Sequence, residues 1–111
     1  MKLSEIKGER TIDVLADITA PIIEIASDEN ASKLFKREKC PEGMEPSAFM
    51  LQRIRDALPP LLKGHKSEIM SIMAALDGVT PEEYEENMTL ASLVSDLFEM
   101  LTDEELLAFF Q

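Results

Sequence analysis

The residues best equipped for chemistry lie together in AALDGVTPEEYEENMTL, positions 74–90, where Glu82, Glu83, Glu85 and Glu86 follow an Asp77-Gly78 break. Carboxylates grouped in this way are the raw material of a calcium loop, a magnesium site or general acid–base catalysis. An EF-hand loop needs oxygen ligands at alternate positions ahead of its central glycine, and Asp77-Gly78 has no such acids before it. Glu82, Glu83 and Glu86 do fit an EExxE pattern, which points to an all-α nucleotide pyrophosphatase holding magnesium between facing helices. Its other half should read ExxD, yet Thr102 stands three places after Glu99, where the second ligand belongs.

Helix punctuation accounts for the same residues. Gly78 supplies a left-handed stop, Thr80 an N-cap, and Pro81 a first helical position where a missing N–H costs nothing. Glu83, three residues after Thr80, completes a capping box, and Glu82 places negative charge on the positive end of the helix dipole. Thr102 to Glu105 repeat that box at a last helix, so no metal is expected here. His65, the single histidine, follows Gly64 between helical segments and is expected to cap or lie exposed. Cys40, the single cysteine, precedes Pro41 in a loop and reads as a bystander thiol. With no phosphate loop and no GxSxG turn either, the expectation is a protein that is not an enzyme and carries no cofactor.

The elements that would position these residues are helices. Ile12, Leu15, Ile18, Ile22 and Ile25 step by three or four, predicting one helix over 9–26 with this row buried and a kink at Pro21. Asp28 to Asn30 offer caps for a short helix through Leu34 and Phe35, with Lys36, Arg37 and Lys39 in its last turn. CPEGMEP, 40–46, is the clearest loop. Phe49, Met50, Ile54, Ala57 and Leu58 give a further helix, interrupted or restarted at Pro59 and Pro60. Ile69, Ile72, Met73 and Leu76 share one face of 66–76. Leu90, Leu93, Val94, Leu97 and Leu101 form the next stripe, and Leu106, Leu107, Phe109 and Phe110 a last short one. Nothing alternates with period two, so the fold class is all-α, a compact single-domain bundle of about six helices over 1–111.

At 111 residues with 45% hydrophobic and 30% charged side chains, the chain is long enough for one modest core without disulfides or metal. No apolar run approaches membrane-spanning length, and MKLSEIKGER lacks the apolar stretch of a secretory signal, so a cytoplasmic protein is expected. The net charge of −11 is unevenly placed: residues 1–66 hold all 11 Lys and Arg with 11 acids, while residues 67–111 hold the other 11 acids and no Lys or Arg. Such a surface repels nucleic acid and anionic lipid and attracts a basic or neutral protein. Solubility alone would explain the same charge equally well.

The acidic third has more apolar side chains than one face of each helix can bury. With Leu97 at zero, Leu90, Leu93, Val94, Met100 and Leu101 fall within about 60° of it, and Phe98 lies near 100°, at the edge of the stripe. The sequence closes on LLAFFQ, whose two phenylalanines either pack on their own domain or join a contact surface rimmed by acids. Phe98, Met100, Leu101, Leu106, Leu107, Phe109 and Phe110 are therefore the candidate partner-binding residues. Met70, Met73, Met88 and Met100 add pliable side chains to that part, with core filling the simpler role for Met73.

MKLSEIKGERTIDVLADITAPI, then LLKGHKSEIMSIMAALDGVTPEEYEENM, then the LxxLVxDLFEML helix resemble, in order and over most of the chain, the tail assembly chaperones of long-tailed bacteriophages and of prophages of Gram-positive bacteria. AALDGVTPEEYEEN is the most specific piece and the CPEGMEP loop the least. The resemblance implies an all-α, non-catalytic protein of the host cytoplasm. Its implied partner is the long tape-measure protein, kept soluble until tail-tube subunits polymerise around it, with the tail-tube protein and a second copy of itself as further contacts. It also implies that a longer form extended by ribosomal frameshifting is often made. Two readings stand beside it: a magnesium-dependent nucleotide hydrolase on Glu82, Glu83, Glu86 and Glu99, and an acidic regulatory adaptor for a basic host protein.

Overall fold

A computed structural model of the chain describes residues 5–36 and 38–108. Helix α1 (Arg10–Ala26) follows a turn at Gly8, whose φ of 71° suits glycine and whose carbonyl accepts the Thr11 N–H and hydroxyl. It runs through Pro21, which has no N–H to offer the Asp17 carbonyl; Asp17 is exposed, so water can take that bond. Its buried row is Val14, Ile18, Ile22 and Ile25. Ile12 and Leu15, expected in that row, face solvent instead, because α1 carries two adjoining apolar stripes and the core takes the one led by Val14.

The short helix after α1 tightens into a 3₁₀ turn, Ala31–Phe35, that buries Ala31, Ser32, Leu34 and Phe35. Asp28 opens it by accepting the N–H groups of Asn30 and Ala31. Of the basic cluster, Lys33 lies in its last turn, Lys36 is already extended beyond it, and Arg37 lies outside the described residues. Arg53 of the next helix donates to the carbonyls of Lys33 and Lys36, which fixes that helix against the turn.

That helix, α2 (Pro46–Gly64), is continuous through Pro59 and Pro60, against the expected break. The two prolines leave the carbonyls of Arg55 and Asp56 without helical donors, but both residues are solvent-exposed, and burial of Ala57 and Leu61 holds the next turn in place. Helix α3 (Lys66–Asp77) is the hub, packing on α1, on α2 and on α4 (Pro81–Asn87). Ile69, Ile72, Met73, Ala74 and Leu76 are all buried on it, and each full-sized apolar side chain so placed contributes about 1.5–3 kcal/mol. Arg10, at the start of α1, donates to the carbonyls of Ala75 (3.3 Å) and Leu76 (3.1 Å), where the negative end of the α3 dipole attracts a cation.

Helices α5 (Leu90–Thr102) and α6 (Glu104–Ala108) complete the fold. Among the described residues there are six α-helices, one 3₁₀ turn and no strand, and none of these helices is long and apolar enough to cross a membrane. One contiguous core links residues from Val14 to Leu106. The radius of gyration, 14.3 Å, exceeds the roughly 13 Å typical for this length, and the extents are 46 × 27 × 23 Å.

Candidate functional site

Helix α5 starts at a true capping box that the sequence reading did not single out. Thr89 Oγ1 accepts the Ser92 N–H at 3.1 Å and Ser92 Oγ accepts the Thr89 N–H at 2.9 Å. The box expected at Thr102 does not form. Thr102 is still helical and its hydroxyl donates back to the carbonyls of Phe98 and Glu99. Asp103 does the capping instead, its Oδ1 accepting from the N–H groups of Glu105 (3.1 Å) and Leu106 (3.3 Å).

The caps set where α5 and α6 begin, and packing decides which face of α5 meets the core. Leu97, Met100 and, on α6, Leu106 point inward and are buried, with Leu93, Leu101 and Leu107 half-buried against them. Leu90 (80% exposed), Val94 (59%) and Phe98 (68%) point outward at one-turn spacing, a row about 12 Å long. Of the candidate partner-binding residues, Phe98 is therefore accessible, and Leu101 and Leu107 are partly so. Met100 and Leu106 are buried in the free chain, where reaching them would mean unpacking α5 or α6. Phe109 and Phe110 lie outside the described residues. Leu90 and Val94, expected in the buried stripe, belong to the exposed row; an apolar arc spanning half the helix already signalled that one side of it must face water.

The start of α4 is punctuated by Gly78, Thr80 and Pro81, whereas the reciprocal half of the expected capping box, from the Glu83 side chain to the Thr80 N–H, does not form. Gly78 takes φ 75° and, with Val79, returns N–H groups to the carbonyls of Ala75 and Ala74. Thr80 Oγ1 accepts the Glu83 N–H at 3.1 Å and Pro81 takes the first position. Glu82, Glu83, Glu85 and Glu86 are exposed, and among the described residues no three His, Cys, Asp or Glu side chains converge to hold a metal, so the magnesium-hydrolase reading finds no ligand set there. The residue of α4 that does specific work is Tyr84. Its buried hydroxyl donates to Asp96 on α5 and lies 3.0 Å from Met73 Sδ on α3, tying three helices together. Burial, and then the Asp96 carboxylate, push its pKa well above the ordinary phenol value, so it is a neutral anchor.

His65 is buried rather than exposed. Its N–H closes α2 and its carbonyl opens α3, while Nε2 lies 2.9 Å from Asp28 Oδ2 and Nδ1 3.4 Å from Glu68 Oε1. The hydrogen bond to Asp28 raises the imidazole pKa above its ordinary value, burial opposes this, and Glu68 adds to it. In turn His65, and then the Ala31 N–H, lower the pKa of Asp28. The imidazole so joins the α2–α3 junction to the α1–3₁₀ junction. Cys40 Sγ donates to the Met44 carbonyl at 3.3 Å and stays within its loop.

Beside α5, a groove of about 300 Å³ is lined by Leu62, Ile69, Met70, Met88 and Leu93, with Lys66 and Glu85 in its wall. Its lining suits an apolar side chain, and Met70 and Met88 give it pliable walls. The exposed apolar row of α5 and the groove are thus two separate apolar features of the acidic part of the chain. No family model matches the chain, nor does any curated protein or solved structure.

Proposed function

We propose that this chain is a non-enzymatic binding module, and that its role is that of a tail assembly chaperone of a long-tailed phage or prophage. It holds the tape-measure protein soluble in the host cytoplasm until tail-tube subunits assemble around it. The observation that carries the reading is the solvent-facing row Leu90, Val94 and Phe98, set in a segment with eleven carboxylates and no Lys or Arg. Apolar side chains give such a surface its affinity for the exposed stripes of a helical client. The acids speed encounter with basic segments and keep the empty chaperone from aggregating. The resemblance of AALDGVTPEEYEEN and LxxLVxDLFEML to tail assembly chaperones supplies the identity of the client.

Co-expression with the tape-measure protein of the same phage should yield a soluble complex, and Phe98→Ala or Val94→Ser should weaken that complex while leaving the free chain folded. Absence of co-purification when both proteins are soluble and folded sinks the proposal.

A further inference from the structure

Helix α1 carries two apolar rows, and the core covers only one. Ile12 (75% exposed), Leu15 (49%) and Ile23 (58%) face solvent. At 100° per residue these three and Thr19 fall within a sector of about 80°, a row roughly 16 Å long. Scattered exposed aliphatics are ordinary, but this row has an ordered neighbour. Glu9, Asp13 and Glu24 lie beyond its edge away from the buried row and are exposed, and Asp17, also exposed, continues the acids round toward Ser71 and Ala74 of α3. Arg10, the only Lys or Arg of α1, is turned to the carbonyls at the end of α3. Around the helix the order is core row, exposed apolar row, acidic row.

We propose that this face docks an amphipathic helical segment of another protein, with its apolar row seated on Ile12, Leu15 and Ile23 and its Lys or Arg residues along one edge only. Two features select that occupant. The three- and four-residue spacing of the row matches the ridges of a second helix, and no strand among the described residues offers an edge for an extended peptide. The carboxylates select against a second copy of the chain, which would bring the same acidic row to the contact, and in favour of a basic one. Because the acids flank one side alone, they also fix the orientation of the bound helix. The inference uses no residue of α5 and does not rest on the tail-chaperone reading.

The test is titration of the full chain with a synthetic helical peptide of about 18 residues, leucines at matching spacing and lysines along one edge, followed by backbone amide NMR. Saturable shifts centred on α1 are expected, with affinity falling as salt is raised. Asp13→Lys/Glu24→Lys and Ile12→Ser/Ile23→Ser should each weaken binding by about tenfold or more. The same peptide with glutamate in place of lysine should not bind. All four substituted side chains are exposed, so thermal unfolding should stay close to that of the parent. The proposal is overturned by no binding, by equal binding of the two peptides, or by shifts centred on α5. Sedimentation showing a dimer of the free chain that Ile12→Ser/Ile23→Ser disperses would also overturn it. Failure of Phe98→Ala to release a tape-measure client bears on α5 alone.

Discussion

Replacing Phe98 with alanine separates a binding role from a packing role, and the structure sets the scale. A fully buried phenylalanine contributes about 1.5–3 kcal/mol, and at 68% exposure only about a third of that, roughly 0.5–1 kcal/mol, is at stake. Alanine is the better helix former by about 0.5 kcal/mol, so the net loss should be about 0–0.5 kcal/mol. Leu97, the adjacent residue, is 7% exposed, and Leu97→Ala should cost about 2–4 kcal/mol through lost contacts and an unfilled cavity. Against a total stability of about 5–15 kcal/mol, the second is severe and the first barely visible. In melting temperature the two differ by about 10 °C. Thermal and urea unfolding followed by far-UV circular dichroism reads both, and co-purification with the proposed tape-measure client reads binding. A loss above about 1.5 kcal/mol in Phe98→Ala would place its ring in the core and refute the division of α5 into two faces.

Three further perturbations follow from the geometry. The folded-state pKa of His65 is raised, so its contribution is complete below the ordinary imidazole value of 6.5 and is lost as pH rises through the higher folded value. That of Asp28 is lowered, so its share is complete above 3.8 and is lost on acidification through its lower folded value. Urea midpoints should therefore decline from slightly acid to alkaline pH, and His65→Gln should flatten that slope; an unchanged slope would mean that another group causes it. Gly78→Ala should cost about 1–2 kcal/mol from the left-handed backbone alone, and slightly more because a Cβ there would sit 3.2 Å from Arg10 Nη2; equal stability by thermal melt would contradict the assigned φ. Asp103→Ala should cost about 1–2 kcal/mol by uncapping α6, with Asp103→Asn retaining most of it, and chemical denaturation of the pair tests which atom matters.

Local chemistry was the most legible part of the sequence. Gly78, Thr80 and Pro81 mark the end of α3 and the start of α4 because each acts through its own backbone within one turn. Phase was less legible. Ile12 and Leu15 share helical spacing with Ile18, Ile22 and Ile25, and so does the competing row from Val14; only the docking of α3 decides between them. The same holds for α5, where an apolar arc half a turn wide cannot announce which half is wet. Pro59 and Pro60 misled because proline reports lost hydrogen bonds, not the solvent exposure of Arg55 and Asp56 that makes the loss tolerable. The roles of Tyr84 and His65 depend on Asp96 and Asp28, which are remote in sequence, and no spacing rule connects them. At the candidate site, Phe98 was legible as the edge of a stripe, whereas Met100 and Leu106 could not be told from surface residues until α6 folded back.

The contact between Arg10 and the last turn of α3 has a consequence for biosynthesis. The two ends of that contact are 66 residues apart in sequence, and at about 5–20 residues per second a ribosome takes roughly 3–13 s to cover the distance. Through that interval α1 has left the ribosome, or is leaving it, before the helix that covers its inner row exists. Both of its aliphatic rows are then open to whatever the nascent chain meets. An isolated helix of 17 residues is marginal in water, so the outer row takes its final form only when α3 arrives to hold α1 helical, and any partner that reads that row must wait for the same event.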